Sequence, residues 1–177
     1  NAICNSIASL INVPGQAVGL SMVTVVGRCM GARDHDQAVG YTRKLMKVAY
    51  LTMGASCLCL FLVAPVLVPL FNLTPATAAI SIQVLRWCAV FTIFFWPMSF
   101  TMPNALRAAG DAKFPMMVSL LSMWICRIGL SYLLGSAWGL GLRLLGVWLA
   151  MFCDWVVRGV VFLIRFLRGK WKERQVI

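Results

Sequence analysis

Long apolar stretches, separated by short polar segments, dominate the pattern along this chain. Each contains about 20 or more predominantly apolar residues, which suffices to cross a hydrocarbon core of ~30 Å as a helix. The predicted spans cover residues 3–26, 48–71, 80–104, 114–138 and 144–167. In lipid only helices or closed barrels satisfy the backbone, and these stretches are too long and continuous for barrel strands. We therefore predict an all-α membrane protein, a bundle of five transmembrane helices.

The distribution of basic residues predicts the orientation of the bundle. The chain is 61% hydrophobic and 12% charged, with a net charge of +11. Lys and Arg cluster in segments 28–47, 104–115 and 165–174, whereas the connections 72–77 and 135–143 are almost free of them. The positive-inside rule places the three basic segments in the cytoplasm, including the basic tail 168–177, with the spans in the cell's inner or plasma membrane. Because the charges flank apolar stretches, we expect lipid and not nucleic acid as the partner.

The segment "NALRAAGDAKFP" (104–115) predicts a tight cytoplasmic turn between the third and fourth spans. Gly110 and Asp111 supply turn chemistry. We expect Arg107 and Asp111 to lie at the headgroup level and the turn to act as a rigid cap. In segment 28–47, the second helix is predicted to begin early, capped by Asp34 or Asp36.

Three charged residues fall near the middle of the predicted spans. Arg127 and Asp154 lie at similar depths, about 20 and 18 Å from the cytoplasmic ends of the fourth and fifth spans. Arg158 follows Asp154 by four residues, on the same helix face. We predict a buried Arg127–Asp154–Arg158 cluster between these spans. It is either a static ion-pair lock or a proton- or cation-linked element of a transport cycle.

A row of polar residues marks one face of the first span. Asn5, Ser9, Asn12 and Gln16 repeat at helical spacing. Such a face either contacts another helix or lines a water-filled cavity, and we favour the cavity. Three residues of the third span share a face and are predicted to line the same cavity: Thr92, Trp96 and Ser99. Aromatic and Met side chains there suit large apolar cations, although a plain bundle core explains them as well.

Other candidate chemistry is sparse. The seven cysteines form no C-x-x-C pair and lie mostly in apolar stretches, so we interpret them as small buried hydrophobes and predict no metal site. His35, the single histidine, is predicted at the surface. The sequence lacks P-loop, zinc-protease and serine-hydrolase motifs, and Asp154 is the one candidate acid at membrane depth. We therefore predict that the protein is not an enzyme and has no cofactor.

Three stretches carry a family resemblance: "VTVVGRCMGARDHDQAVGYTRK" (23–44), "PNALRAAGDAKFPMMVSLLSMWICRIGLSYLL" (103–134) and "LLGVWLAMFCDWVVRGVVFLIRFLRGKW" (144–171). They resemble the C-terminal half of multidrug and toxic compound extrusion (MATE) transporters. The resemblance implies two six-helix bundles around a central cleft. The chain would then be an incomplete six-helix half of a twelve-helix transporter, with the missing N-terminal half as its partner.

The resemblance also implies a function, namely export of an organic cation or drug by Na+ or H+ antiport with alternating access. Some family members place a coupling acid in the helix that corresponds to the third span, but this chain has no Asp or Glu between Val84 and Asn104. The acid is therefore expected in the missing half, or Asp154 takes part. Two alternatives stay open: a lipid-linked oligosaccharide flippase of the same superfamily, and a non-transporting membrane scaffold.

Overall fold

The computed structural model describes residues 2–68, 75–135, 143–169 and 171. Its main helices are α1 (Ala2–Gly31), α2 (His35–Leu67), α3 (Pro75–Trp96), α4 (Met102–Ala108), α5 (Lys113–Ser122), α6 (Ser131–Gly135) and α7 (Arg143–Leu167). Two π-helical segments, Pro97–Thr101 and Met123–Leu130, join α3 to α4 and α5 to α6. The third span is thus α3 with α4, the fourth is α5 with α6, and the fifth is α7.

Five helices of the described residues are long and apolar enough to cross a membrane, which confirms the predicted fold class. The first two continue past the predicted spans at the side assigned to the cytoplasm, because segment 28–47 is almost entirely helical. Residues 69–71 and 136–138 of the predicted spans lie outside the described residues. So do residues 170 and 172–177 of the predicted basic tail.

A compact turn connects α1 to α2. Arg33 adopts a left-handed backbone conformation with φ of 58°. Asp34 then caps α2, its carboxylate accepting a hydrogen bond from the Gln37 amide at 3.0 Å. This satisfies one of the amide groups that a helix N-terminus leaves without an intrahelical partner, and it confirms Asp34 as a cap.

The π-helical segments change which side chains share a face of a span. Pro97 lacks the amide hydrogen that an α-helix would use at that position, and a π turn begins there. A π turn contains more residues than an α turn, so it rotates the side chains that follow. The segment Met123–Leu130 has the same effect in the fourth span, just before Arg127.

The core consists of two apolar layers. One layer, formed mainly by α2, α3 and α7, includes Met53, Leu85 and Phe152. The other lies nearer the 104–115 turn and includes Leu106 and Phe162. Side chains of these two layers make most of the packing contacts within the bundle. The fourth span contributes little to them, because only 6% of its apolar segment is buried.

The 104–115 turn is fixed by a buried ion pair. Gly110 adopts φ of 84°, and the amides of Gly110 and Asp111 donate to the carbonyls of Arg107 and Leu106, which closes the C-terminus of α4. Asp111 is fully buried, and Arg165 Nε and Nη2 each lie 2.9 Å from its Oδ2. Asp111 is therefore paired inside the bundle with a guanidinium that α7 supplies, and its position at the headgroup level stays a prediction.

Candidate substrate cavity

A cavity of about 630 Å³ lies between the first, third, fourth and fifth spans. It extends along the first span from Asn5 to Leu20, a length of about 22 Å at the helical rise. Its volume falls within the ~300–1,000 Å³ that is typical of pockets for small molecules. The cavity therefore crosses much of the membrane thickness and has room for a drug-sized molecule.

The first span forms the polar side of the cavity. All four members of the predicted row, Asn5, Ser9, Asn12 and Gln16, border it. Their spacing places them on one face of α1, and Asn12 and its neighbours therefore present amide and hydroxyl groups along one line. These groups both donate and accept hydrogen bonds, so the polar side can bind neutral or charged polar groups.

Aromatic side chains of the third and fifth spans form the opposite side. Trp96 stacks on Phe100 with ring centroids 5.1 Å apart, and Phe100 meets Trp155 edge to face at 5.9 Å. Trp148 also borders the cavity, at its own end of α7. Interlocked rings of this kind present a large and rigid apolar surface to a ligand.

Thr92 and Ser99, the other two predicted lining residues of the third span, do not border this cavity. Both are almost fully buried within the bundle, and the Thr92 hydroxyl lies 3.7 Å from Cys88 Sγ. Ser99 lies in the π-helical segment, which rotates it away from the face of Trp96. A short side chain at position 92 does not reach past the neighbouring large ones. The prediction that they line the cavity is thus corrected by the helix geometry.

A buried polar cluster lies behind the aromatic side. Asp154 is 1% exposed and pairs with Arg158 at 3.4 Å, one helical turn along α7. The Ser122 hydroxyl donates to the other carboxylate oxygen of Asp154. The Arg158 guanidinium lies over the Phe100 ring, 4.5 Å from its centroid. The cluster thus links the fourth and fifth spans to a ring that borders the cavity.

Arg127 does not join this cluster as predicted. Its Nη2 lies 3.8 Å from Met151 Sδ, its side chain borders the cavity, and it forms no ion pair with Asp154 in the described part of the chain. The prediction compared only depth in the membrane. Equal depth does not determine which way a side chain faces, and the π-helical segment around Arg127 alters that direction.

The sequence analysis missed several lining residues. Arg107 borders the end of the cavity nearest the 104–115 turn, where its Nη1 donates to Asn104 Oδ1 at 3.0 Å. Trp148, Met151 and Trp155 follow one another at intervals of three and four residues along α7. This helical repeat of bulky side chains was the signal that could have found them.

The charges at the cavity are all positive. Arg107 and Arg127 border it, and no carboxylate among the described residues does. Asp154 and Asp111 are engaged by Arg158 and Arg165 instead. Within the described ranges no group of three or more His, Cys, Asp or Glu side chains could hold a metal ion.

Five apolar helices, four of which border a polar and aromatic cavity, define an integral membrane protein of the helical bundle class. The MatE family model matches residues 1–133, so the chain belongs to the MatE family. This confirms the family resemblance drawn from the sequence.

Curated relatives extend the match over nearly the whole chain. The probable multidrug resistance protein NorM of Thermotoga maritima is 28% identical over 172 residues, which is 97% of this chain and 36% of that protein. The uncharacterized transporter YisQ of Bacillus subtilis is 30% identical over 178 residues, 96% of this chain and 36% of that protein. The chain thus spans little more than a third of the length of these relatives. No solved structure matches it significantly.

Proposed function

We propose that this chain forms part of a secondary transporter that exports organic cations or other drugs. The observation that carries the proposal is the cavity itself, with hydrogen-bonding groups along the first span and interlocked aromatic rings opposite. Amphiphilic drugs combine the same two properties. Membership of the MatE family and relatives named as probable multidrug resistance proteins support the same activity.

We further propose that export proceeds by alternating access and is driven by entry of Na+ or H+. Two helix bundles that rock against each other would open the cavity first to one side and then to the other. Asp154 is the single acid within the predicted spans. For Asp154 to take part in coupling, H+ or Na+ would have to replace Arg158 as its partner, because the two now form an ion pair. An acid in another part of the transporter is the alternative.

The experiment that tests the proposed function is ethidium efflux by the full natural protein in cells that lack other efflux pumps. We expect Asn12→Ala and Trp96→Ala to slow efflux about tenfold or more at equal protein level, because both border the cavity. Leu10→Ala and Trp124→Ala are the matched controls, since both side chains are exposed on other faces and neither borders the cavity. Absence of efflux by the wild-type protein, or unchanged efflux in both cavity variants, would contradict the proposal.

A lipid-linked oligosaccharide flippase is the second candidate, favoured by the two arginines at the cavity. Guanidinium groups bind phosphate oxygens well, and a diphosphate-linked lipid would use them. Flipping of such a lipid in proteoliposomes, without dye efflux, would select this candidate. If the full natural protein shows neither dye efflux nor lipid flipping, the remaining alternative is a non-transporting membrane scaffold.

A further inference from the structure

The charge balance of the cavity favours a ligand that carries an anionic group. Arg107 and Arg127 both border it, while the described lining residues include no Asp or Glu. Opposite charges attract most strongly where the surroundings are apolar, as they are in a membrane. An anionic group on a ligand would therefore be attracted to these two arginines, with no acid of the described lining residues to repel it.

Arg127 is the arginine whose charge lies deepest. It is exposed on the described bundle and lies about 20 Å along the predicted fourth span from Phe114, near the middle of that span. A charge at that depth costs at least ~2.5–3.5 kcal/mol and is normally paired or functional. Its one polar contact within the described residues is the weak acceptor Met151 Sδ at 3.8 Å.

The two buried acids of the described bundle are already engaged. Asp154 accepts from Ser122 and pairs with Arg158. Asp111 pairs with Arg165 at the cytoplasmic end. Because both acids are engaged elsewhere, neither neutralises Arg127. The N–H groups of its guanidinium donate to no carboxylate of the described chain.

A second donor without an acceptor lies on the aromatic side. Trp155 is 5% exposed, borders the cavity, and its indole Nε1 donates to no acceptor among the described residues. Buried polar groups are normally hydrogen-bonded. The buried indole of Trp155 and the exposed guanidinium of Arg127 thus border one cavity, where a ligand can supply an oxygen acceptor that neither has among the described residues.

We propose that Arg127 forms an anion subsite in the substrate cavity, which binds a carboxylate carried by an amphiphilic substrate. The aromatic side of the cavity would hold the apolar body of the same molecule, and the polar row its remaining hydrogen-bonding groups. The volume of about 630 Å³ suits a drug-sized amphiphile. The inference rests on the proposed export function and adds drugs that carry an acidic group to its expected substrates.

The test compares two fluorescent probes that differ only in that group: tetramethylrhodamine, which has a free carboxylate, and its methyl ester, in which the carboxylate is masked. Uptake is measured in everted membrane vesicles that contain the full natural protein. We expect Arg127→Gln to lower transport of the acid relative to the ester about tenfold, since a hydrogen bond to a charged group is lost. Arg127→Lys keeps the charge and should retain most of the preference for the acid.

Arg86→Gln is the matched control. Arg86 lies in the third span over the Phe61 ring and borders a different pocket, so the same substitution there should leave the ratio of the two probes unchanged. Ester transport reports that each variant is folded and active. Equal loss of both probes in Arg127→Gln, or no change in either, would overturn the subsite while leaving the export function intact. If the wild-type protein transports neither of the two probes and no ethidium, that result would instead contradict the export function on which the inference rests.

Discussion

At the scale of single residues, Asp154 is a buried carboxylate with a partner on each of its two oxygens. It is buried between the fourth and fifth spans, with Ser122 on one carboxylate oxygen and Arg158 on the other. Arg158 in turn covers Phe100, whose ring borders the cavity. An ion pair in this position connects the packing of α7 to the shape of the aromatic side.

Removing one partner of this pair should destabilise the protein more than removing both. Asp154→Asn leaves Arg158 buried without its carboxylate, and loss of one member of a buried pair typically costs about 3–5 kcal/mol. Asp154→Asn combined with Arg158→Met removes the uncompensated charge and should recover much of the loss. The measurement is the melting temperature of the full protein in detergent. A double variant less stable than Asp154→Asn would show that the pair is not the main interaction of Arg158.

Which charges lie within the long apolar helices could be predicted from the sequence, but their pairing could be predicted only in part. The spacing of Asp154 and Arg158 at four residues predicted one contact, because a helix places such residues on one face. The predicted contact between Arg127 and Asp154 is not formed. The direction of the Arg127 side chain depends on a π-helical segment that no residue pattern in the sequence indicates. Ser122 was not distinguishable from other small polar residues in lipid-spanning helices.

At the scale of elements, the approach of the first span to the third depends on a glycine. A Cβ atom at Gly15 would overlap the ring of Trp96 and lie 2.7 Å from Met53 Sδ. Thr101 Oγ1 lies 3.5 Å from the Gly15 carbonyl, so the two backbones are close at this level. Small residues permit such contacts between membrane helices and thereby fix the width of the cavity between them.

We expect Gly15→Ala to destabilise the bundle by about 1–3 kcal/mol, since overpacking forces Trp96 or the helix backbone to move. Gly27→Ala in the same helix is the control, because a Cβ there meets no atom within 4 Å. Replacing a helical glycine in open space should be neutral or stabilise by about 0.5–1 kcal/mol. Melting temperatures in detergent compare the two variants. Equal melting temperatures would contradict the close contact at Gly15.

The helical elements and the polar face of the first span were accessible to sequence reasoning, because lipid permits few backbone structures and a helix has a fixed repeat. The aromatic side was predicted only at Trp96. In a regular α-helix, Thr92 and Ser99 would share a face with Trp96. A π turn that begins at Pro97 removes Ser99 from that face. The contribution of α7 comes from a distant part of the chain, and its sequence signal was the helical repeat of Trp148, Met151 and Trp155.

At the scale of the whole molecule, the basic segments define the expected orientation. Segment 28–47 and the 104–115 turn lie at the same end of the bundle, where Arg165 of α7 also reaches the turn. If that end is cytoplasmic, the cavity extends from Arg107 near the cytoplasm toward Asn5 near the outer side.

This orientation predicts the sidedness of chemical labelling. In a cysteine-free version of the full protein, Asp36→Cys should react with a membrane-impermeant maleimide only after the cytoplasmic side is opened. Ala79→Cys, at the opposite end of the third span and exposed, should react in intact cells. The reason is the excess of Lys and Arg near position 36. The reverse labelling pattern would show that the bundle has the opposite orientation in the membrane.

The central claim is that the cavity between the first, third, fourth and fifth spans is the path of the exported molecule. Its most direct test is a single cysteine at Asn12 in the cysteine-free full protein, modified by a charged thiol reagent during ethidium efflux. We predict that modification stops efflux, that excess substrate slows the modification, and that Leu10→Cys, on the exposed face, shows neither effect. Full efflux after complete modification of Asn12→Cys would contradict the claim.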